Sequence, residues 1–574
     1  MVLRYMDELT KAIWKFALEN AINYDGKANP KALIGKVMGN FPDRREDMPS
    51  TMKLINSIVD DVNKLSLDSQ KKRLEEISPG LLDKKEKEKE ERKGHHSMLR
   101  ELPNAVKGKV ILRFEPSPSG GLHIGHAYSL SLNYLYKKMY DGKLLLRISD
   151  TDPSNIDPKA YEILSRNANW LTNEGIDEII IQSDRMQTYY NHALQLIEDG
   201  YSYVCTCPQE MFKEFATNKE ECPCRNLDQK EQLNRWSGMF NNYNEGDAVV
   251  RAKFSMKDSN PAMRDFPLLR ISDAEHVRQG KKYRVWPLMN FAVAIDDYDL
   301  GLTHVLRGKD HFDNTKRQKF LFKSLRWEHP EYVHVGKINF KGLKLSTSET
   351  RMKIEQGIYS GWDDIRLPFL SALERRGFDP KALLNVARDV GVTLNDKTMD
   401  ANEFFKSIEH HNTKFIENVS YRYFFISDYV EIIVYGAPSQ EIELDLHPDN
   451  KKGGRFFSTN TDFLIAKHDF DNIKENEVWR LMDCLNFVKR EGKFLFHSLD
   501  YETYKNSGKK EGAGIIHWLP SSRNVDVNVR LLDNSIVSGK GEALISGIES
   551  GKIIQFERFG FVRKDKKEFW FCHG

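Results

Sequence analysis

Cysteine is scarce in this sequence, six in 574 residues, and four of the six, Cys205, Cys207, Cys222 and Cys224, fall within twenty positions. A disulfide framework spreads its cysteines, so this clustering argues against one and for a reducing cytoplasm. Long apolar runs are missing too. None approaches the roughly 18 residues of a membrane span, and the opening stretch MVLRYMDELTKAIWKF is broken by Asp7, Glu8, Lys11 and Lys15. Neither a span nor a secretory leader is expected there, and no membrane partner. An excess of one charge is also lacking: 86 Lys and Arg face 84 Asp and Glu, a net charge of +2. Whole-chain electrostatics therefore do not announce a nucleic acid, which would be met by local patches. What remains is ordinary globular composition, 40% apolar and 30% charged. The chain is long enough for about three to five domains, each burying its own core.

The texture changes along the chain. Residues 1–82 carry apolar side chains at helical spacing, as in Ile13, Trp14, Phe16 and Ala17, then Met52, Leu54, Ile55, Ile58, Val59 and Val62. A small helical domain is expected. Residues 83–104 open with DKKEKEKEERKGHH, which holds no apolar residue. Its acids and bases nearly cancel, which favours a solvated linker over an RNA-binding arm. From Lys109 the pattern becomes strand then helix. KVILRFEPSPSGGLHIGH reads as a short strand, a Pro/Ser/Gly loop and a helix opening near His123; KLLLRISDTD is a second strand; helices cover 160–173 and 187–199. Such alternation argues a parallel doubly wound sheet with its ligand at the carboxyl ends of the strands.

That places His123 and His126 at the ligand edge. Gly120 and Gly121 let the backbone approach a ligand, and the start of a helix offers free N–H groups and a positive dipole end to phosphate. Two imidazoles one turn apart share a face and can donate to phosphate oxygens as charge develops. Gly125 leaves room between them for a base or ribose.

RFEPSPSGGLHIGHAYSLSLNYLY resembles the signature region of class I aminoacyl-tRNA synthetases, in the glutamyl and glutaminyl branch. YRVWPLMNFAVAIDDYDLGLTHVLRGKDHFDNTKRQ and SGWDDIRLPFLSALERRGF resemble the archaeal-type glutamyl-tRNA synthetases. The resemblance implies a multidomain α/β fold. Its parts are a class I Rossmann-like catalytic domain at 105–345 with a zinc-bearing acceptor insertion at about 203–285, a signature loop and helical stem-contact domain at 346–428, and C-terminal β-barrels that bind the anticodon at 429–574. It implies ligation of L-glutamate to tRNA(Glu) in the cytoplasm, by a monomer, through an adenylate made from ATP with Mg2+ and with tRNA present. Whether tRNA(Gln) is also charged stays open. A glutaminyl enzyme and a tRNA-binding paralogue without adenylate chemistry are the alternatives.

Residue roles follow position by position from the resemblance. Pro116, Ser117, Gly120, Gly121, His123, Gly125 and His126 form the first ATP-binding signature. The second reads LKLSTSET, with Lys344, Ser346 and Ser348 in place and Thr347 where a second lysine usually stands; Arg351 and Lys353 are nearby cations. Arg113 and Arg307 match arginines that pair with the glutamate carboxylates, and Ser117 matches a substrate-contacting serine. Ser149 stands where an acid would hold the substrate ammonium, and Met289 where a tyrosine would reach the substrate. Asp150 or Asp152 could compensate, or Asp150 could cap the following turn.

The two C-x-C pairs form a separate constellation, fourteen residues apart and each beside a proline. Four thiolates from two turns fit tetrahedral Zn2+ in a closed structural site, against the alternative of four reduced free thiols. Downstream, PFLSALERRGF reads as a helix with Pro368 in its first turn and Gly377 at its stop; the resemblance turns Arg375 and Arg376 toward tRNA. From Tyr429 the pattern is strands, with Val525, Val527 and Val529 alternating with Asp526, Asn528 and Arg530 before an Asp533-Asn534 turn.

Overall fold

The computed structural model describes residues 7–23, 26–41, 47–78 and 99–574. Two compact units divide between Met98 and Leu99. Most of the expected linker, residues 83–98, lies outside the described residues.

Among its described residues the first unit holds four helices: α1 (Glu8–Asn23), α2 (Pro30–Asn40), α3 (Met48–Asn63) and α4 (Leu67–Ile77). Asn29, Asp47 and Ser66 cap α2, α3 and α4 by accepting backbone N–H groups of the first turn. Ile13, Ala17, Leu33, Val37, Ile55, Val59 and Leu74 make the core. The apolar spacing in the sequence thus marks the packed faces.

In the second unit the parallel sheet is present. β1 (Ile111–Phe114), α5 (Ile124–Tyr140), β2 (Lys143–Ile148), α6 (Ala160–Thr172) and β3 (Glu178–Ile181) alternate, with Phe114 beside Leu146 and Leu146 beside Ile179. An insertion then builds an antiparallel sheet from β4 (Ser202–Cys205), β5 (Val249–Ala252), β6 (Pro267–Ile271) and β7 (Val285–Pro287). The chain returns through α7 (Met289–Asp299) to β8 (His304–Gly308), α8 (Phe312–Ser324) and β9 (Glu331–Val335), the strands parallel. Thr303 N donates to Ile111 O at 3.1 Å, so β8 continues the sheet on the far side of β1. Strand order reverses between β1 and β8, which opens a crevice at their carboxyl ends.

The next segment holds α9 (Thr347–Glu355), α10 (Leu370–Arg376), α11 (Pro380–Val390) and α12 (Ala401–Ile416). Gly377 ends α10 at φ +100°, a conformation glycine adopts cheaply. Pro368 lies two residues before α10 rather than in its first turn. Strands begin at Tyr421, eight residues before the expected boundary. They form two seven-stranded mixed sheets and a hairpin of Gln440–His447 with Asn450–Thr459.

One hydrophobic core runs through these parts, joining Leu112, Leu146 and Leu164 to Leu370, Leu373 and Ile408 and to Phe561 and Cys572 near the end of the chain. Arg376 is buried and donates to Cys572 O at 2.6 Å. Arg375 pairs with Asp363 at 3.0 Å and Asp565 at 2.6 Å, and lies over the Trp570 ring at 3.7 Å. Both arginines bind the C-terminal sheet, so neither is a free surface cation for tRNA. Helical spacing could not reveal this, because their partners on the C-terminal sheet lie about 190 residues further along the chain.

Candidate active site

The β1–α5 loop is built around close approach. Gly120 has φ +154°, and a Cβ there would overlap the Trp362 ring and Thr347 Cγ2. Gly121 faces Phe369 and Trp362. Pro116 O accepts from Ser149 N at 3.0 Å, tying the loop to the end of β2, while Ser117 is exposed. Replacing Gly120 by Ala is expected to cost about 1–3 kcal/mol through overpacking against Trp362, read as a lower urea midpoint.

His123 is the N-cap of α5: its Nδ1 accepts from Gly125 N at 3.1 Å and His126 N at 3.3 Å. His126 Nδ1 reaches back to His123 N at 3.4 Å, and the rings stack with centroids 3.8 Å apart. The pair is a capping box written in histidine. With both Nδ1 atoms accepting, each neutral ring carries its proton on Nε2 and presents a donor. Burial lowers His123 to about 4, and burial with the neighbouring ring lowers His126 to about 3. A Cβ on Gly125 would sit 3.0 Å from His123 Cε1 and 3.4 Å from Leu345 Cδ1. That glycine makes room for the histidine itself as well as for a ligand.

A cavity of about 730 Å³ opens here, lined by His123, Gly125 and His126 on one side and by Lys337, Lys344 and Leu345 on the other. Its size suits a drug-sized or nucleotide ligand. Ser346 caps α9 by accepting from Glu349 N, and Ser348 lies 3.4 Å from the Ser346 hydroxyl. Glu349 holds both Lys344, at 2.7 Å, and Lys353, at 3.0 Å. Of the nearby cations weighed from sequence, Lys344 lines the cavity; Arg351 pairs with Glu355 and faces a different groove. Lys337, not anticipated, lines the cavity from the turn that follows β9 and pairs with Asp310 at 3.1 Å.

At the carboxyl ends of β1, β2 and β8 lies a buried charge cluster. Arg113 grips Asp297 through Nε at 2.5 Å and Nη2 at 3.0 Å, and touches Glu115 at 2.8 Å. Arg147 binds Glu115 and lies 3.4 Å from Asp296. Burial lowers the Arg113 affinity for its proton, but Asp297 and Glu115 outweigh it and raise the net value. Arg307 differs. It is 5% exposed, its Nη2 donates to Gln318 at 2.5 Å, its guanidinium lies 4.6 Å from the Tyr332 ring, and its Nε has no partner among the described residues. Burial and the nearby Arg113 pull its pKa down. A buried guanidinium without a carboxylate is poised to take one. Met289 begins α7, 41% exposed, with Sδ 4.0 Å from Gln318 Nε2.

Neither acid offered as compensation for Ser149 is available. Asp150 accepts from Ser183 N at 2.8 Å, Ser183 Oγ at 2.7 Å and Tyr161 OH at 2.8 Å, and is buried. It holds a turn, the structural alternative. Asp152 pairs with Arg270 at 3.0 Å on the surface. Glu115, Asp297, Gln318 and Tyr332 were missed from sequence, although Glu115 sits inside the quoted motif.

The four cysteines converge. Sγ atoms of Cys205 and Cys222, Cys207 and Cys222, and Cys207 and Cys224 are each 3.6 Å apart. All four lie within 4.8 Å of one another. Zinc–sulfur bonds of about 2.3 Å put tetrahedral sulfurs about 3.8 Å apart, so the donor set fits that ion. Thr206 N points at Cys224 Sγ from 3.5 Å, the outer-shell contact that steadies a thiolate ligand. Cys484 and Cys572 are buried elsewhere.

A loop-and-helix phosphate cradle at the switch point of a parallel sheet defines a nucleotide-binding α/β protein. The family model "tRNA synthetases class I (E and Q), catalytic domain" matches residues 109–418, and two anti-codon binding domain models of the same family match 420–494 and 515–565. The chain is 42% identical to the glutamate-tRNA ligase of Methanothermobacter thermautotrophicus, covering 98% of this chain and 99% of that one. It is 43% identical to the glutamate-tRNA ligase of Pyrococcus abyssi, covering 98% of each. It is 41% identical to that of Methanocaldococcus jannaschii, again covering 98% of each. The chain belongs to the class I tRNA synthetases of the E and Q branch. Among the described residues no helix is long and apolar enough to cross a membrane.

Proposed function

We propose that this enzyme ligates L-glutamate to the 3′ end of tRNA(Glu). The glutamate α-carboxylate attacks the α-phosphate of ATP, expelling pyrophosphate; the terminal ribose hydroxyl of tRNA then takes the acyl group and AMP leaves. Positioning and phosphate charge stabilisation supply most of the catalysis. The observation that carries this reading is the capped histidine pair and the Lys344 loop lining one cavity at the β1–β8 crevice, with the buried Arg307 on β8 one residue before the cavity-lining Gly308.

The Nε2 donors of His123 and His126 face the phosphates. Pro116, Ser117, Gly120, Gly121 and Gly125 shape the loop under ATP, and Lys344, Ser346 and Ser348 close over it with Lys337. Mg2+ arrives as the counter-ion of the ATP phosphates. Arg307 takes a substrate carboxylate, with Arg113, Ser117, Ser149 and Met289 around it. An amide in place of that carboxylate would leave Arg307 unpaired, which disfavours glutamine. Structural Zn2+ at Cys205, Cys207, Cys222 and Cys224 stiffens the insertion that receives the acceptor end.

The proposed division is a helical domain at 1–82, a linker at 83–104 whose last residues from Leu99 already pack in the second unit, a catalytic domain at 105–345 with its insertion at 203–285, a stem-contact segment at 346–428 whose end from Tyr421 already forms C-terminal strands, and an anticodon-binding region at 429–574. Barrel closure of both C-terminal sheets is supported by their edges. Tyr421–Tyr423 and Phe425–Ile426 are the two edges of one sheet and lie one residue apart; Ile515–Ile516 and Trp518–Pro520 are the two edges of the other, again one residue apart. A strand that serves both edges closes the sheet on itself. The clustered free thiols and the tRNA partner suit the cytoplasm.

The test is aminoacylation with labelled glutamate or glutamine, ATP and Mg2+, offering tRNA(Glu) and tRNA(Gln) separately. Glutamate on tRNA(Glu) is the expected product, and the tRNA(Gln) arm decides whether that tRNA is charged too. Label from glutamine would overturn the role of Arg307. Tight tRNA binding without charging would favour the inactive paralogue.

A further inference from the structure

A glutamate substrate brings an ammonium group into a site that already holds Arg113, Arg147 and Arg307. A cation among three guanidinium groups is repelled unless a carboxylate faces it. The acid expected at the end of β2 is Ser149, and the surrounding carboxylates can be taken in turn. Asp150 is saturated by Ser183 and Tyr161, and Asp152 is drawn to Arg270 on the surface. Asp297 spends both oxygens on Arg113 and is fully buried. Both oxygens of Asp296 are taken by Gln182, Arg185 and Tyr189.

Glu115 remains. Its Oε2 accepts from Arg113 Nη1 at 2.8 Å and from Arg147 Nη2, and among the described residues its Oε1 has no hydrogen-bond partner. The side chain keeps 26% of its surface open, so a small substrate can reach it. Its position is the decisive point. Glu115 is the first residue after β1, Ser149 the first after β2, and these parallel neighbours abut where Ser149 N donates to Pro116 O at 3.0 Å. Burial pushes the carboxyl upward, but Arg113, Arg147, Arg307 and His311 outweigh it and hold Glu115 down at about 2. The group is an anion throughout the working pH range.

We propose that Glu115 receives the α-ammonium of the amino-acid substrate through Oε1, the acid having moved one strand across the sheet from the position of Ser149. This rests on the reading of glutamate as the substrate. The two arginines on Oε2 aim the carboxylate and prevent it from pairing with Arg307, which stays free for a substrate carboxylate. One acid and one guanidinium, on adjacent strands, then read the two opposite charges of an amino acid.

The experiment compares Glu115→Gln with the unaltered enzyme in glutamate-dependent ATP–pyrophosphate exchange with tRNA present. Glutarate, which keeps both carboxylates and lacks the amino group, serves as the competing ligand. The expected result is a KM for glutamate raised about 10- to 100-fold, the range of a lost charge-assisted contact. The KM for ATP and the inhibition constant of glutarate should hold. Glu115→Asp, which keeps the charge, should recover part of the loss. A glutarate constant that rises with the glutamate KM would mean that Glu115 only props Arg113 and Arg147, and would overturn the proposal; so would an unchanged glutamate KM. Absence of glutamate-dependent exchange in the unaltered enzyme is a distinct result, which would overturn the substrate reading itself and this proposal with it.

Discussion

Replacing His126 by alanine is expected to slow adenylate formation about 10²-fold or more, the scale of losing one preorganised donor to a developing charge, while tRNA binding persists. The structure separates two contributions in that number. The ring lines the cavity with its proton on Nε2, and its Nδ1 also accepts from His123 N at the helix start. Loss of a cap costs about 1 kcal/mol of stability, seen in a urea midpoint rather than in kcat. His123→Asn makes the complementary cut, because asparagine still caps a helix but offers no ring donor to the phosphates. Its exchange rate should fall with little change in stability. Full activity in either variant would remove the histidines from the reaction.

The same pair predicts a pH response. Both histidines titrate below the usual value of about 6.5, His123 near 4 and His126 near 3. Between pH 6.5 and 4 the unfolded chain takes up protons that the folded one refuses. Stability from these groups is therefore full above about 6.5 and drains as pH falls through the folded values. Their charge does not change between pH 5 and 8, so an acidic limb of the rate profile in that window must come from other groups.

The second large effect concerns the cysteines. Each of Cys205→Ser, Cys207→Ser, Cys222→Ser and Cys224→Ser is expected to abolish retention of one zinc ion per chain. Structural zinc sites contribute about 10–16 kcal/mol in small peptides, as much as the roughly 5–15 kcal/mol that stabilises a whole domain. The local core is thin, with Tyr203, Phe212 and Met256 buried around the thiols themselves, so apolar burial cannot replace the metal. Metal analysis by mass spectrometry and amide exchange across residues 203–256 check this. Loss of protection confined to that segment, with charging lost, is the expected pattern. A chain that is zinc-free and fully protected would make the cysteines ordinary core thiols.

What could be read from the sequence was local. The strand, the glycine loop and the helix at His123 each declare themselves within a few residues, as do the C-x-C pairs and the Gly377 helix stop. Roles that depend on distant partners were hidden. Asp150 is indistinguishable from a substrate-binding acid until Ser183 and Tyr161 fold onto it. Glu115 looks like a loop residue until parallel pairing brings Arg147 beside Arg113. Arg375 and Arg376 have the spacing of a solvated or RNA-facing helix, and only the final strand shows them spoken for.

That final strand, Glu568–His573, has a consequence for how the protein is made. It buries Cys572 in the core shared with Leu370 and Leu373, receives Arg376 on its carbonyls, and sets His573 Nε2 3.0 Å from Asn412 Nδ2. The partners Asn412 and His573 are 161 positions apart. At about 5–20 residues per second, α10 and α12 leave the ribosome roughly 8–40 s before the strand that completes them. During that interval the helical segment stands with an open apolar face, and nascent chains stalled before residue 568 are the ones a chaperone should hold.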